Sequence, residues 1–409
     1  MAYTVRRTRS YGSRVKDSFN GILFGFVLFI GATILLWWNE GRAVKTDKML
    51  NEAEKVCVDV EDVSKLDSEL EGQMIHATAD ALTSDTLRFS DFGVNVNAIA
   101  LSKSPMYYQW VEHKHEERHD KVGGSEEIVT TYTYSKEWVN SPTNSGMFED
   151  PSYHGIFNKP VLMTDRETVY AEDVRFGAYR LPSNMIENIP GKTPVEPAPT
   201  AEQITSWNKS VKAFRRENKL TVYEDTSVSY IHIQGNEIYF GYNPNAPEVG
   251  DVKVAFEQVD QGTISILATV NGDTFKKYKA KNKYSFVSVE RGEVSQEQMF
   301  KHEHEANTSL TWFLRVLGVL AIIAGLKMIF EILTTLLKVL PFLASIMSFG
   351  TGLICTIVGV IWSLLVIALA WLFYRPIVGI LLLVLVGAII WFFNKKAKKN
   401  APSTDVPAA

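Results

Sequence analysis

The run Ser345 to Leu372 constrains this chain more than any other stretch, because it holds 28 consecutive residues without a charge. At about 1.5 Å of rise per residue such a helix crosses the roughly 30 Å of hydrocarbon in a bilayer even when tilted. A helix buried in a soluble core seldom stays uncharged that long, so this part of the chain belongs in a membrane. It lies inside a longer block, Leu310 to Phe393, whose apolar runs are broken only by a few charges and by the turn-like Tyr374, Arg375 and Pro376. A further apolar run covers 21–38. Four spans are therefore expected, over 21–38, 310–330, 345–372 and 377–393.

The distribution of charge predicts how those spans are threaded. The overall net charge of −4 is misleading. Residues 1–18 carry Arg6, Arg7, Arg9, Arg14 and Lys16 against Asp17, and the tail from Asn394 carries four lysines against Asp405. Of the chain's 42 basic and 46 acidic residues, 29 and 43 fall in 39–309, a net of −14. Lys and Arg near span ends are retained on the cytoplasmic side, whereas a long domain translocates regardless of its charge. The expectation is a basic cytoplasmic N-terminus over 1–20, a periplasmic or lumenal domain over 39–309, and a basic cytoplasmic tail over 394–409. Trp37 and Trp38 end the first span with no small-residue cleavage site, so it reads as an uncleaved anchor.

Cys57 falls early in the translocated domain and Cys355 in mid-span, so the two are not expected to pair. Asn208-Lys209-Ser210 and Asn307-Thr308-Ser309 are sequons that matter only in a eukaryotic secretory compartment. The acidic domain disfavours nucleic acid, and the basic termini suit anionic lipid headgroups.

Along the large domain the period changes repeatedly. Residues 47–56 read as a helix that gives way to alternating Val56, Val58 and Val60, and 72–81 reads as a strand. Pro105 to Trp138 is a long β-hairpin, with Tyr, Trp, Val and Thr on both arms and Val122-Gly123-Gly124-Ser125 as its turn. Residues 186–200 form a proline-rich loop, and 200–218 an amphipathic helix with Ile204, Trp207, Val211 and Phe214 on one face. Turns at Gly235-Asn236 and Asn271-Gly272-Asp273 join further strands. The fold class predicted is a multi-pass α-helical membrane protein of four spans carrying a large α+β, mostly antiparallel extracytosolic domain.

No catalytic motif of the nucleophile-elbow, zincin, P-loop or dinucleotide type is present, so no enzyme, cofactor or catalytic residue is expected. His113, His115 and His119 alternate along one hairpin arm and would share a face, which makes them weak candidate metal ligands. His302 and His304, just before the second span, are candidates of the same standing. Gly21 and Gly25 form a GxxxG pair, and Ser348, Gly352 and Thr356 repeat at four-residue spacing, both patterns that favour helix association. Glu40 and Arg42 read as a polar stop with a local ion pair. Arg315, Lys327, Glu331 and Arg375 stand in or beside spans, which raises transport as an alternative, although Lys and Arg near span ends snorkel. Arg375 is expected to meet Glu40 or the acidic underside of the large domain.

Five blocks carry a resemblance. They are Trp38-Asn39-Glu40-Gly41-Arg42-Ala43 with Lys45-Thr46, Met106 to Glu112 around Trp110, Tyr132 to Trp138, Pro247 to Phe256 with Gly250 and Asp251, and Trp371 to Pro376. In this order and spacing the chain resembles the transmembrane protein 43 (LUMA) family. The resemblance implies four spans, a large extracytosolic domain and no known enzymatic activity. It also implies, for animal members, membrane organisers of the endoplasmic reticulum and inner nuclear membrane that self-associate and bind lamins and emerin. Bacterial members cannot have such partners, so the expected site is a bacterial inner membrane or those eukaryotic membranes. The function expected is a non-enzymatic scaffold that forms a homo-oligomer, with contacts to lipid and possible other membrane proteins. The alternatives are a channel or transporter component and a membrane-anchored enzyme or metal-binding domain.

Overall fold

In a computed structural model, the structure describes residues 2–223, 225, 227–337 and 341–375, with the side chains of 337 and 341–348 outside the description. The chain divides into two compact units. One, built of sheets, comprises residues through Arg7, Asn51–His119 and Glu127–His302; the other, built of long helices, comprises Thr8–Leu50, Asp120–Glu126 and the chain from Glu303. The helices are α1 (Tyr11–Val56), α2 (Ser183–Ile186), α3 (Ala201–Glu217), α4 (Gln296–Leu337) and α5 (Pro341–Tyr374).

In the sheet unit, seven strands form one sheet in which Gly262–Asn271 pairs with both Met74–Thr83 and Thr274–Lys276. Through Tyr179–Arg180 and Val174–Phe176 the pairings return to Met74–Thr83, so the sheet closes on itself. Its core gathers Ile75, Phe176, Tyr179, Ile264, Ile266 and Phe275, all essentially out of water. Closure leaves only the short strands Val58–Val60 and Ser288–Arg291 paired on a single side. The turn at Gly272 has φ +63°, left-handed backbone that glycine adopts without strain.

The second sheet has eight strands in the main order Tyr3–Arg9, Glu126–Val139, Ala100–Asp120, Val252–Val259, Glu237–Phe240 and Ile231–Gln234. The hairpin anticipated over 105–138 is its centre, with arms of 21 and 14 residues. Tyr3–Arg9 adds an edge strand where the sequence reading had only a basic tail. Helix α3 starts with a capping box: the Thr200 hydroxyl accepts from the Gln203 amide at 3.2 Å, and the Gln203 side chain accepts from the Thr200 amide at 2.9 Å. Its apolar stripe is used as core, with Val211 buried and Ile204 and Trp207 packed beside Phe92, Phe240 and Phe256.

Among the described residues of the helical unit, three helices are long and apolar enough to cross a membrane: Tyr11–Val56, Gln296–Leu336 and Phe349–Tyr374. The expected run 377–393 lies outside the described residues. Helices α1 and α4 run antiparallel, as a ladder of contacts along their length records. Tyr11 donates its hydroxyl to the Leu336 carbonyl at 3.2 Å, Ser18 to Thr335 at 2.9 Å, and Asn39 its amide to the Thr311 carbonyl at 3.0 Å. In mid-ladder Gly25 meets Gly325, where a methyl on either glycine would stand 2.8–2.9 Å from the other's carbonyl oxygen. Glycine on both sides lets two backbones touch, which is how apolar helices gain packing energy in lipid.

Candidate functional site

The polar side chains of the helical unit concentrate at the ends of α1, α4 and α5 remote from Tyr11, at residues that the sequence already singled out. Asn39 and Glu40 are 0% and 1% exposed. Helix α1 carries them directly after Trp38, the aromatic end of its apolar stretch, on the face turned to α4. The Glu40 carboxylate accepts from Arg315 on α4 through both oxygens, at 2.6 Å from Nε and 2.8 Å from Nη2. It also accepts the indole N–H of Trp371 on α5 at 2.8 Å. A bidentate guanidinium–carboxylate pair fixes distance and plane together, and here the same carboxylate ties a third helix.

Neighbouring residues close the cluster. Arg42 donates to the Asn307 side-chain oxygen at 3.0 Å and to the Thr311 hydroxyl at 2.8 Å, while Asn307 donates to the Ala43 carbonyl at 3.1 Å. At Gly41 an added methyl would lie 2.6 Å from the Tyr374 ring, so only glycine admits α5 this closely. Trp37 packs on Phe373 and Tyr374 at centroid separations of 5.6 and 5.9 Å. The Arg315 guanidinium sits 4.9 Å above the Trp312 ring and 5.6 Å above that of Trp371. Such a knot locks three helices in register; what it holds in chemical terms is an ion pair closed upon itself.

Two expectations are corrected here. Glu40 does not form a local ion pair with Arg42, because Arg315, 275 residues away in sequence, takes both its oxygens. Arg375 does not meet Glu40 either; its guanidinium lies over the Trp371 ring at 5.7 Å. Of the other span residues, Gly25 is in the helix contact, whereas an added methyl at Gly21 or Gly352 would meet nothing within 4 Å. Thr356 returns its hydroxyl to the Gly352 carbonyl at 2.8 Å. The side chain of Ser348 and all of Pro376 lie outside the described residues.

At the opposite end of α1, Arg14 is 4% exposed and is enclosed by the hairpin turn. It donates to the Gly124 carbonyl at 2.9 Å and to Asp120 at 2.5 Å, with Glu126 at 3.7 Å. Gly124, at φ +83°, presses against the Tyr11 ring.

In the sheet unit a second buried cluster forms around Asp251, which is 3% exposed. Tyr239 donates its hydroxyl to Asp251 Oδ2 at 2.5 Å, and the Glu248 amide donates to the same oxygen at 2.8 Å. Arg215 of α3 stands 3.8 Å from Asp251 Oδ1, bonds Glu248, and stacks over Tyr230 at 5.5 Å. Burial pushes the Asp251 carboxyl up to about 6, against the lowering effect of these hydrogen bonds and of Arg215. Trp138 joins this cluster, 6.2 Å from the Tyr239 ring with Lys253 over its face, and Gly250 carries φ +103° against the Lys159 carbonyl. Trp110 stands apart, against Tyr153 with Lys136 above it. Its amide is bonded by Asn158, whose partner Gln109 is wholly buried.

The histidines do not converge. His113 bonds Ser135 and Glu137 at 2.8 Å, while His115 and His119 each stand 3.6 Å from Glu117. His302 pairs with Glu290 and His304 with Asp47. Among the described residues no three His, Cys, Asp or Glu side chains gather as a metal site. Both sequon asparagines are occupied by the fold. Asn208 donates its side-chain nitrogen to the Ile204 carbonyl, and Asn307 donates its own to Ala43. Of the residues at these clusters, Arg215, Tyr239, Asn158 and Thr311 carried no signal in the sequence beyond their residue type, whereas Gln109 lay within the Met106 to Glu112 block.

No solved structure matches this chain. Among characterised sequences, transmembrane protein 43 from Rattus norvegicus is 28% identical over 374 residues, 89% of this chain and 87% of the relative. The Homo sapiens protein of that name matches to the same extent, also at 28%. The Drosophila melanogaster homolog is 27% identical over 370 residues, covering 87% of this chain and 89% of its own. The family model for transmembrane protein 43 aligns with residues 107–376, a stretch that takes in the hairpin, the Asp251 cluster, and the Arg315 and Trp371 side of the knot. An integral membrane protein with these helices, and with that match across most of its length, belongs to the transmembrane protein 43 family.

Proposed function

We propose that this protein is a non-enzymatic membrane scaffold, which self-associates through its spans and carries its sheet domain outside the bilayer. The observation that carries the reading is the Glu40–Arg315–Trp371 knot. Charges inside a membrane protein usually mark a transport path or a binding event. Here the buried acid and base satisfy each other and a tryptophan, an arrangement suited to rigidity rather than to passage of ions. At Gly21 on α1 and Gly352 on α5, no described residue covers the helix, and such small residues suit the packing of a second copy. Sizing the full chain by mass photometry in nanodiscs is expected to give a multiple of its 46.0 kDa. A population of monomers alone across a hundredfold concentration range sinks the self-association reading.

The charge split supports both termini on the cytoplasmic face and 39–309 on the far side. The contact of Arg14 with the hairpin turn makes the opposite demand on that turn. Twenty-six residues of α1 separate Arg14 from Glu40, about 39 Å of helix, so the two flank any bilayer that α1 crosses. A Val122→Cys variant in sealed right-side-out vesicles decides between them, since Val122 is 82% exposed. Labelling by a membrane-impermeant maleimide only from outside supports the far-side placement; labelling only from the cytoplasmic side overturns it.

A further inference from the structure

Helices α4 and α5 enclose a groove of about 410 Å³ lined by Trp312, Arg315, Val319, Leu320, Leu364 and Trp371, among others. Among the described residues Arg315 is the single charged one of that lining, and it sits at one end. From there the groove runs about two helical turns along each helix, past Val316 and Leu320 on one side and Ile367 and Leu364 on the other. These are faces of span helices, with Trp312, Leu320 and Leu364 each 59% exposed. The tryptophans mark the level of the headgroups, where such rings concentrate.

We propose that this groove holds one acyl chain of an anionic phospholipid, with the headgroup phosphate set against Arg315 and Arg375. The charge at the mouth argues for an anion. Glu40 neutralises one guanidinium, whereas Arg375, exposed and stacked over Trp371, has no carboxylate partner among the described residues. Two arginines against one carboxylate leave a surplus positive charge around Trp371, at one end of the apolar trough. Arginine suits a phosphodiester because its fork presents parallel N–H donors to two oxygens. Because the Glu40 pair already fixes Arg315 in place, little side-chain freedom is lost when a headgroup binds. The inference stands apart from the self-association reading, since one copy of the chain supplies every residue.

The full chain in nanodiscs of equal phosphatidylglycerol and phosphatidylcholine, released into mild detergent and weighed by native mass spectrometry, tests this. Phosphatidylglycerol is expected to be retained over phosphatidylcholine by about fivefold, the ratio that corresponds to ~1 kcal/mol for one basic side chain at an anionic surface. Arg375→Gln, at an exposed site, should bring that ratio close to one. Leu364→Trp, which fills the trough from an exposed position, should reduce retention of both lipids while leaving the melting profile of the protein unchanged. A preference that survives Arg375→Gln overturns the headgroup assignment. A Val319→Cys variant that forms a cross-link to a second copy, or to a cysteine placed in 377–393, shows protein covering the groove and overturns the proposal entirely.

Discussion

Replacing Glu40 with alanine is expected to lower the unfolding free energy of the helical unit by about 3–5 kcal/mol, the usual cost of stranding one member of a buried ion pair. The size of the effect follows from what remains. Arg315, with a side chain 14% exposed, keeps its charge but loses both carboxylate oxygens, and the Trp371 indole N–H loses its acceptor. Only a small part of the guanidinium can turn to water at the end of three packed helices, and its cation–π contacts with Trp312 and Trp371 return only a fraction of the loss. Arg315→Met alone should cost a similar amount by stranding the carboxylate. The double variant Glu40→Leu with Arg315→Met should recover most of it, because an apolar pair of similar volume often matches a buried salt bridge. Denaturant titration of the full chain in micelles, followed by tryptophan fluorescence, gives the four corners of the cycle. A coupling energy under ~0.5 kcal/mol would mean that water reaches the pair, and the knot would then be a surface contact.

What could be foreseen in the sequence was whatever is encoded locally. The charge-free run over 345–372, the alternation of Tyr and Thr around Gly123-Gly124, and the apolar face of the helix over 200–218 each carry their structural consequence within a few residues. The helix α1 was legible only in pieces, since its apolar centre and the polar helix over 47–56 differ in composition yet continue one another without a break. The knot was half legible. Its members Asn39 to Arg42 and Tyr374 stood out as motif residues, and Arg315 as a span-end charge. What joins Glu40 to Arg315 is the antiparallel alignment of α1 and α4, fixed by Gly25 against Gly325 far from either charge. A local reading gives Glu40 the nearest arginine, Arg42; packing gives Arg42 to Asn307 and Thr311 instead. The sequon at Asn307 was similarly opaque, because its role depends on a carbonyl in another helix. Asp251 stood out only as a member of the Pro247 to Phe256 block, since neither Arg215 nor Tyr239 is its neighbour in sequence.

Asp251 also sets an unusual pH dependence. Its carboxyl rises from 3.8 to about 6 in the folded protein, so between those values the folded chain binds a proton that the unfolded chain has released. Stability from this group is therefore greatest below about pH 4 and is lost as pH rises toward 6, by about 3 kcal/mol at 1.36 kcal/mol per pH unit. That slope is opposite to the usual one for a carboxylate. The groups facing Asp251 are Arg215, Glu248 and Tyr239, and burial of the Tyr239 hydroxyl beside the carboxylate pushes it upward in turn, so the phenol stays neutral in this window. Asp251→Asn keeps an acceptor for the Tyr239 hydroxyl and the Glu248 amide but cannot ionise. The difference in unfolding free energy between the natural chain and this variant is expected to swing by about 3 kcal/mol from pH 4 to pH 6.5, in favour of the variant at the higher value. Asp251→Ala instead leaves the hydroxyl and the amide without a partner, and should be less stable than the asparagine variant by about 2 kcal/mol at every pH. Hydrogen exchange at Glu237–Phe240 and Val252–Val259, the strands that bracket the cluster, reads the effect within the sheet domain. Parallel pH profiles for the natural chain and Asp251→Asn would show that the carboxylate is solvated and that this cluster carries no linked proton.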